Sequence, residues 1–452
     1  QLWASAAHVL GAEKQTIDWS KVKKVSMGRA MRVEHFLLEP TAVFLNNASY
    51  GATPRLITDL RQRWELEVEK EPVRFRFVDL MPRLEESQHA LSKFVGAYAH
   101  NLVFLPNVNA GMSTILKSYP WQRGDQIVFL SCEYDANKKA LYWVEAHHQV
   151  ELVSIQVTFP CGDAEILSAV RECLQSHSNV KMCIYDHVTS ATARVLPAKD
   201  LVKLSRSLAP TASVLVDGAQ APGQVPLNVT DIDADFYLGT CHKWLFSSKG
   251  VAFLVTKEKA QDLVEPLTVS YFAGKGYRKE FSYTGLVDFT PFLCVRECLK
   301  FVKHACGGLE AMIDYNHRLV LNAASELANL WGTEVLHAPE HTGTMALVRV
   351  PGDHVGSSTK AAMLTVFLQR RHNITCYCMP LETKSGLQLW IRIAAQVFND
   401  VSDYLALGEV LSEANARSIL KTDASQFTGD MSSIKEHVHS MDEMVEGCEQ
   451  PQ

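Results

Sequence analysis

No stretch of this 452-residue chain approaches the roughly eighteen consecutive apolar residues that a membrane-crossing helix requires, so a membrane partner is not expected. Basic residues are not in excess either. The 44 Lys and Arg stand against 50 Asp and Glu, leaving a net charge of −6 and a pI near 6.3. That balance gives no electrostatic footing for nucleic acid or an anionic bilayer. The eleven cysteines are an odd number and form no CxxC pair. Cys294 and Cys298 read as one face of a helix, Cys376 and Cys378 as one face of a strand, which suits reduced thiols better than a disulfide framework. Seventeen histidines contain no HExxH or similar spacing, so no metal is expected. Internal repeats and low-complexity blocks are missing too. The opening "QLWASAAHVLGAEKQ" lacks the basic start of a signal peptide, and a cytoplasmic enzyme is the expectation.

What remains is an ordinary globular composition, 47% hydrophobic and 21% charged. "PRLITDLRQRWELEVEKEP" spaces Leu56, Leu60, Trp64 and Val68 four apart, a helical stripe that Pro72 should close, and a second helix should start near Pro82. Short apolar runs then predict strands at 102–105, 126–130, 151–157, 180–186, 213–219, 235–240 and 251–256, with helices at 163–176 and 198–208 among them. This alternation predicts an α/β fold with a mostly parallel sheet covered by helices. From residue 308 the rhythm changes to one long helix, then "MALVRV", a helix near 358–371, "ITCYCMP" and "LQLWIRIA", a smaller C-terminal α+β domain. The expected divisions are an N-terminal segment 1–50, a large domain 51–307, a small domain 308–416 and a flexible acidic tail 417–452.

Ligands of open α/β sheets collect beyond the carboxyl ends of the strands. Asp217 follows four apolar residues in "SVLVDGAQAPG", and Lys243 follows the next strand in "GTCHKWLFSSKG". A buried carboxylate there is costly unless it meets a cation. Pyridoxal 5'-phosphate needs both groups: a carboxylate to keep its ring nitrogen protonated and a lysine to hold its aldehyde covalently. Its phosphate needs N–H groups at a helix start, which "FLPNVNAGMSTIL" offers at Asn109, Ala110 and Gly111. Tyr134 lies past another strand, where its ring could stack on the pyridine. Asp186, His187 and Thr189 lie past a third. Singly each has a bland reading as a cap, core residue or turn; together, at one sheet edge, they point to this cofactor.

The chain resembles the class V aminotransferase superfamily, fold type I pyridoxal-phosphate enzymes, and within it isopenicillin N epimerase-like proteins and related C–S lyases. The matching stretches are "FLNNASYGATP", "EPVRF", "FLPNVNAGMSTIL", "DHVTSATARVLP", "VDGAQAPG", "CHKWLFSSKG", "YTGLVDFTP" and "LWIRIAAQVFND". The resemblance implies that Lys243 carries the cofactor and Lys249 is structural. It also implies that Asp217 pairs with the ring nitrogen and that Gln220 approaches the ring hydroxyl or the substrate carboxylate. Thr240 and His242 then join the phosphate site, and a partner subunit of a homodimer contributes Tyr283, Thr284 and Gly285. Arg392 grips the carboxylate of an amino-acid substrate, Asn47 and Tyr50 line the entrance, and Arg74 faces the site. Epimerisation, C–S cleavage, transamination and cysteine desulfuration all begin from α-proton removal by Lys243. A scaffold that kept the fold without catalysis is the non-enzyme alternative, which Lys243, Asp217 and Arg392 together argue against. Desulfuration further needs a nucleophilic cysteine, and Cys241, Cys376 and Cys378 read as structural.

Overall fold

A computed structural model describes residues 15–352 and 356–412. After a two-residue strand, β1 (Val43–Phe44), comes helix α1 (Arg55–Lys70), which buries Ile57, Leu60 and Trp64. Pro72 ends α1 but opens another helical turn, Pro72–Arg74. A π-helical turn, Phe75–Asp79, then leads into α2 (Leu80–Val95). The helix ends where expected, with Glu71 outside helical geometry, and Pro72 starts the next turn because proline's missing N–H costs nothing at a helix start, where that group has no intrahelical partner.

The central sheet has seven strands: β2 (Leu102–Leu105), β3 (Gln126–Leu130), β4 (Glu151–Ile155), β5 (Val180–Asp186), β6 (Ser213–Gly218), β7 (Phe236–Thr240) and β8 (Ala252–Thr256). Their order is β2-β8-β7-β6-β5-β3-β4, and only β8 runs against the rest. Helices α3 (Val108–Ser118) and α4 (Asp135–His148) follow β2 and β3. The strands read as near-continuous apolar runs because both faces are covered. One face packs Tyr185, Val214, Val216 and Tyr237; the other packs Ile184, Leu215 and Leu238 with Val108 and Met112 of α3.

The C-terminal part contains α5 (Leu309–Trp331), β9 (Met345–Arg349), α6 (Ser358–His372), β10 (Ile374–Thr375), β11 (Tyr377–Thr383) and β12 (Gly386–Ala394). β11, β12 and β9 form an antiparallel sheet. The single strand expected over "ITCYCMP" is split at Cys376. Its first half pairs in parallel with β1, through Val43↔Ile374 and Phe44↔Thr375. The N-terminal segment is thus stitched to the C-terminal part, which carries residues 46–51 up to the lysine loop. No helix among the described residues is long and apolar enough to cross a membrane. The expected tail, 417–452, lies outside the described residues.

Candidate active site

Parallel β5 and β6 place Asp186 and Asp217 side by side at their carboxyl ends, in direct register. Asp217 is only 3% exposed. One of its oxygens accepts the Ala219 N–H at 2.7 Å and the other an Asn137 side-chain N–H at 2.6 Å. Two donors of this kind favour the charged form against the burial that raises its pKa.

The loop after β7 presents Lys243 between two anchored neighbours. The His242 Nδ1–H donates to the Val251 carbonyl at 2.9 Å, and the buried Trp244 Nε1–H donates to Gln220 Oε1 at 2.9 Å. Burial pushes Lys243 down to about 8, Asp217 opposes that shift, and Arg392 adds to it. The three charged groups therefore lie within electrostatic reach of one another. An amine that is partly neutral near physiological pH is what a covalent or proton-abstracting lysine needs. Lys249 is spent on structure, donating to the Gly51 carbonyl at 2.6 Å.

Arg392 projects from β12 and is 3% exposed. One terminal nitrogen donates to the Ser190 carbonyl. The other donates to Asn46 Oδ1 at 2.9 Å and Ser49 Oγ at 3.2 Å, and the guanidinium lies 4.8 Å over the Tyr377 ring. Its Nε is buried without a partner. It forms no ion pair with any carboxylate among the described residues, so its charge is oriented and unneutralised. Tyr134, 39% exposed at the start of α4, has its phenol raised by burial, then by Asp135, Tyr50 and Asp217, so it lies near that carboxylate and the exposed Tyr50.

The helix start after β2 offers N–H groups, though not all of those expected. Asn107 caps α3, accepting the Ala110 N–H on its side chain at 2.8 Å and the Gly111 N–H on its carbonyl at 3.3 Å. Val108 and Asn109, the first two helical residues, keep N–H groups without an intrahelical acceptor. Gly111 serves packing instead: a Cβ there would come within 2.3 Å of Leu238.

Other expectations are also revised. His187 follows Asp186, so strand alternation turns it to the opposite face, where its ring meets the Tyr237 hydroxyl at 2.9 Å and burial lowers it to about 4. Thr189 closes a turn with Thr192 and the Arg194 N–H, at 2.6 and 2.8 Å. Thr240 donates its proton to the Ala219 carbonyl at 2.7 Å. The Gln220 amide is occupied by Ala48 and Trp244. Asp186 is pushed well up by burial, then by Glu133 and Asp217. Asn47 lines no entrance with its amide; it braces the Lys243 carbonyl at 2.8 Å. Arg74 pairs with Asp79 at 3.5 Å. Tyr283 lies 4.0 Å beneath Arg76, and Gly285 stands in open space.

Sequence reasoning missed Glu133, Asn137, Asn46, Ser49, Gly51 and Tyr377. Glu133 and Asn137 flank the Tyr134 already singled out. Gly51 was concealed, since its role is a backbone approach: a Cβ there would lie 2.2 Å from the Lys243 carbonyl oxygen. Gly51→Ala is therefore expected to push the lysine loop aside and cut cofactor loading at least tenfold, read by the visible absorbance of the purified protein. Full loading in that variant would show that the loop gives way cheaply.

Residues 76–407 match the family Aminotransferase class-V. A probable chloroplastic L-cysteine desulfhydrase of Arabidopsis thaliana is 29% identical over 399 residues, 83% of each chain. Isopenicillin N epimerase of Streptomyces clavuligerus is 28% identical over 334 residues, 70% of this chain and 82% of its own. A mutant of the cystine C–S lyase C-DES, solved with glycine covalently linked to its PLP cofactor, superposes with a TM-score of 0.71 at 17% identity, covering 85% of this chain and 97% of that one. The donor set fits that cofactor: a depressed lysine, a hydrogen-bonded buried carboxylate and free N–H groups at a helix start. The chain belongs to the class V aminotransferase family and is a pyridoxal-phosphate-dependent enzyme.

Proposed function

We propose that this enzyme is a C–S lyase that cleaves a cysteine-type amino acid by β-elimination, with water, to pyruvate, ammonia and sulfide or a thiol. The carrying observation is Arg392: a buried, oriented cation without a carboxylate partner among the described residues, within electrostatic reach of Lys243. An α-carboxylate supplies the missing charge through two parallel hydrogen bonds. Pyridoxal phosphate, when bound, supplies the electron sink for breaking bonds at the substrate's α-carbon. Lys243 takes the proton from that carbon. Asp217 keeps a proton on the ring nitrogen, and the Val108 and Asn109 N–H groups hold the phosphate; neutral His242, its one N–H spent on Val251, adds no donor there. Elimination needs only this one base, and the L-cysteine desulfhydrase likeness spans more of the chain than the epimerase likeness. Desulfuration is disfavoured. Cys241, Cys376 and Cys378 are buried, and the thiols of Cys241 and Cys376 are pushed up, Cys241 by burial and Cys376 by its Cys378 contact and then burial.

Pyruvate is expected from L-cysteine or a cysteine sulfoxide, followed by coupled reduction, with no loss in Cys376→Ser. Deuterium entering the α-carbon with inversion and no pyruvate would instead make it an epimerase.

Exposed Val73 and Phe77 on one segment and Val269, Tyr271 and Leu286 on another are joined by the Arg76–Tyr283 and Tyr271–Tyr283 contacts. This apolar face supports a homodimer in which residues 283–285 serve the partner. Val269→Glu with Leu286→Glu should halve the mass seen by light scattering; an unchanged mass places the interface elsewhere. The ten cysteines among the described residues are all unpaired, which supports a compartment that keeps thiols reduced.

A further inference from the structure

Behind Asp217 lies a structure that neither the fold nor the reaction requires. Glu133, Asp186 and Asp217 are all buried, and their ligand oxygens lie within 4.8 Å of one another. Three carboxylates so close in a dry site cannot all be ionised. The single Asn137 side-chain nitrogen donates to both Glu133 Oε1 at 2.8 Å and Asp217 Oδ2 at 2.6 Å. Glu133 Oε1 also accepts the Tyr134 N–H at 3.0 Å. Glu133 Oε2 and Asn137 Oδ1 are both buried without a partner. A bare buried carboxylate oxygen is costly, whereas a protonated one carries no charge to solvate.

We propose that Glu133 and Asn137 are positioning residues for the cofactor: Asn137 ties Asp217 to Glu133, and the proton on Glu133 keeps Asp217 the ionised member of the cluster. With Glu133 neutral, the negative charge concentrates on Asp217, whose two oxygens each accept a hydrogen bond, whereas Glu133 takes both of its bonds on Oε1. When Glu133 loses its proton, a second anion beside Asp217 draws protons towards the cluster and changes the field at the ring nitrogen. Burial, then Asp217, raises Glu133 to about 7, while Asn137, the Tyr134 N–H and Lys138 act the other way. Also around the cluster are Asp186 on β5, Cys132 beside Glu133, the Tyr134 and Tyr237 phenols, which Asp217 raises, and Lys243, which acts on Asp217 and Asp186. The response therefore falls near neutral pH. The inference rests on cofactor seating, not on which bond is cleaved.

The test is a pH titration of holoenzyme carrying pyridine-¹⁵N-labelled cofactor, read by the ring-nitrogen NMR shift and visible absorbance. Wild type should show a step near pH 7. Glu133→Gln, permanently neutral and of the same shape, should keep the cofactor and lose the step. Asn137→Leu should keep colour but move the ring-nitrogen shift towards the unprotonated value. In apoprotein, Glu133 is raised above its unfolded value, so its contribution to stability falls as pH rises from about 4.5 to 7. Glu133→Gln should flatten that slope in urea unfolding. A step near pH 7 that survives in Glu133→Gln overturns the proposal. So does a stoichiometric divalent cation recovered with the protein, since a metal would then neutralise the cluster. Protein that takes up no cofactor at all instead refutes the seating of the ring against Asp217.

Discussion

Lys243→Ala is expected to fold, to show no covalent-cofactor absorbance band, and to lose activity by roughly 10²–10⁴-fold or more, since its only α-proton base is gone. The fold should survive because the loop is fixed by its neighbours: His242 on Val251, Trp244 on Gln220, and the Lys243 carbonyl on Asn47, none of which needs the lysine side chain. Circular dichroism and the urea midpoint should stay close to wild type. The same amine sets a pH dependence. Burial holds it at about 8, below the ordinary lysine value, so the neutral fraction grows tenfold per pH unit below 8 and levels off above it. Capture of pyridoxal phosphate by apoprotein, followed in a stopped-flow absorbance experiment, should follow that curve. The linkage has a definite sign. Between about 8 and the unfolded value the unfolded chain binds more protons, so apoprotein stability rises with pH through that window. A capture rate still climbing tenfold per unit above pH 9 would mean the lysine is not desolvated.

Arg392→Met is expected to separate stability from function. The buried guanidinium has hydrogen bonds to Ser190, Asn46 and Ser49 but no anion, so its charge costs desolvation that no ion pair offsets in the free enzyme. Methionine gives up those bonds and that penalty together, and the net change in apoprotein stability should stay within about 1–2 kcal/mol. Turnover should suffer far more. Losing one partner of a desolvated charge pair costs about 2–5 kcal/mol, or roughly 30- to 4,000-fold in kcat/KM. Arg392→Lys should recover only part of this, because an ammonium cannot make the paired planar bonds. Wild-type kcat/KM in Arg392→Met would remove the substrate carboxylate from this position and the amino-acid reading with it.

Much of this was legible before any coordinates. The seven central strands were readable because a sheet covered on both faces leaves near-continuous apolar runs, and the residues just past them are where open sheets bind ligands. Asp217 and Lys243 were singled out that way, while the choice of Lys243 over Lys249, and Arg392 altogether, came from the family resemblance. His187 was misassigned although the rule that corrects it is local: two neighbours on one strand face opposite ways, so it could not share a face with Asp186. Thr189, Thr240 and Gln220 were misjudged for another reason. Their polar groups look free in a sequence, and only the folded chain shows that Arg194, Ala219 and Trp244 already occupy them.

The chain's own order of residues determined the α/β class, the strands, the long helix at 309–331 and the placing of Asp217 and Lys243 past strand ends. These follow from periodicity and from burial costs that act over a few residues. Tertiary structure alone decided that β1 joins β10 and carries Asn46, Ser49 and Gly51 to the lysine loop. It also decided that Asn137 bridges two carboxylates and that Arg392 stands without an anion among the described residues. Those outcomes depend on which distant groups come within hydrogen-bonding reach of one another, and hydrogen bonds act over about 3 Å in space, whatever the separation along the chain.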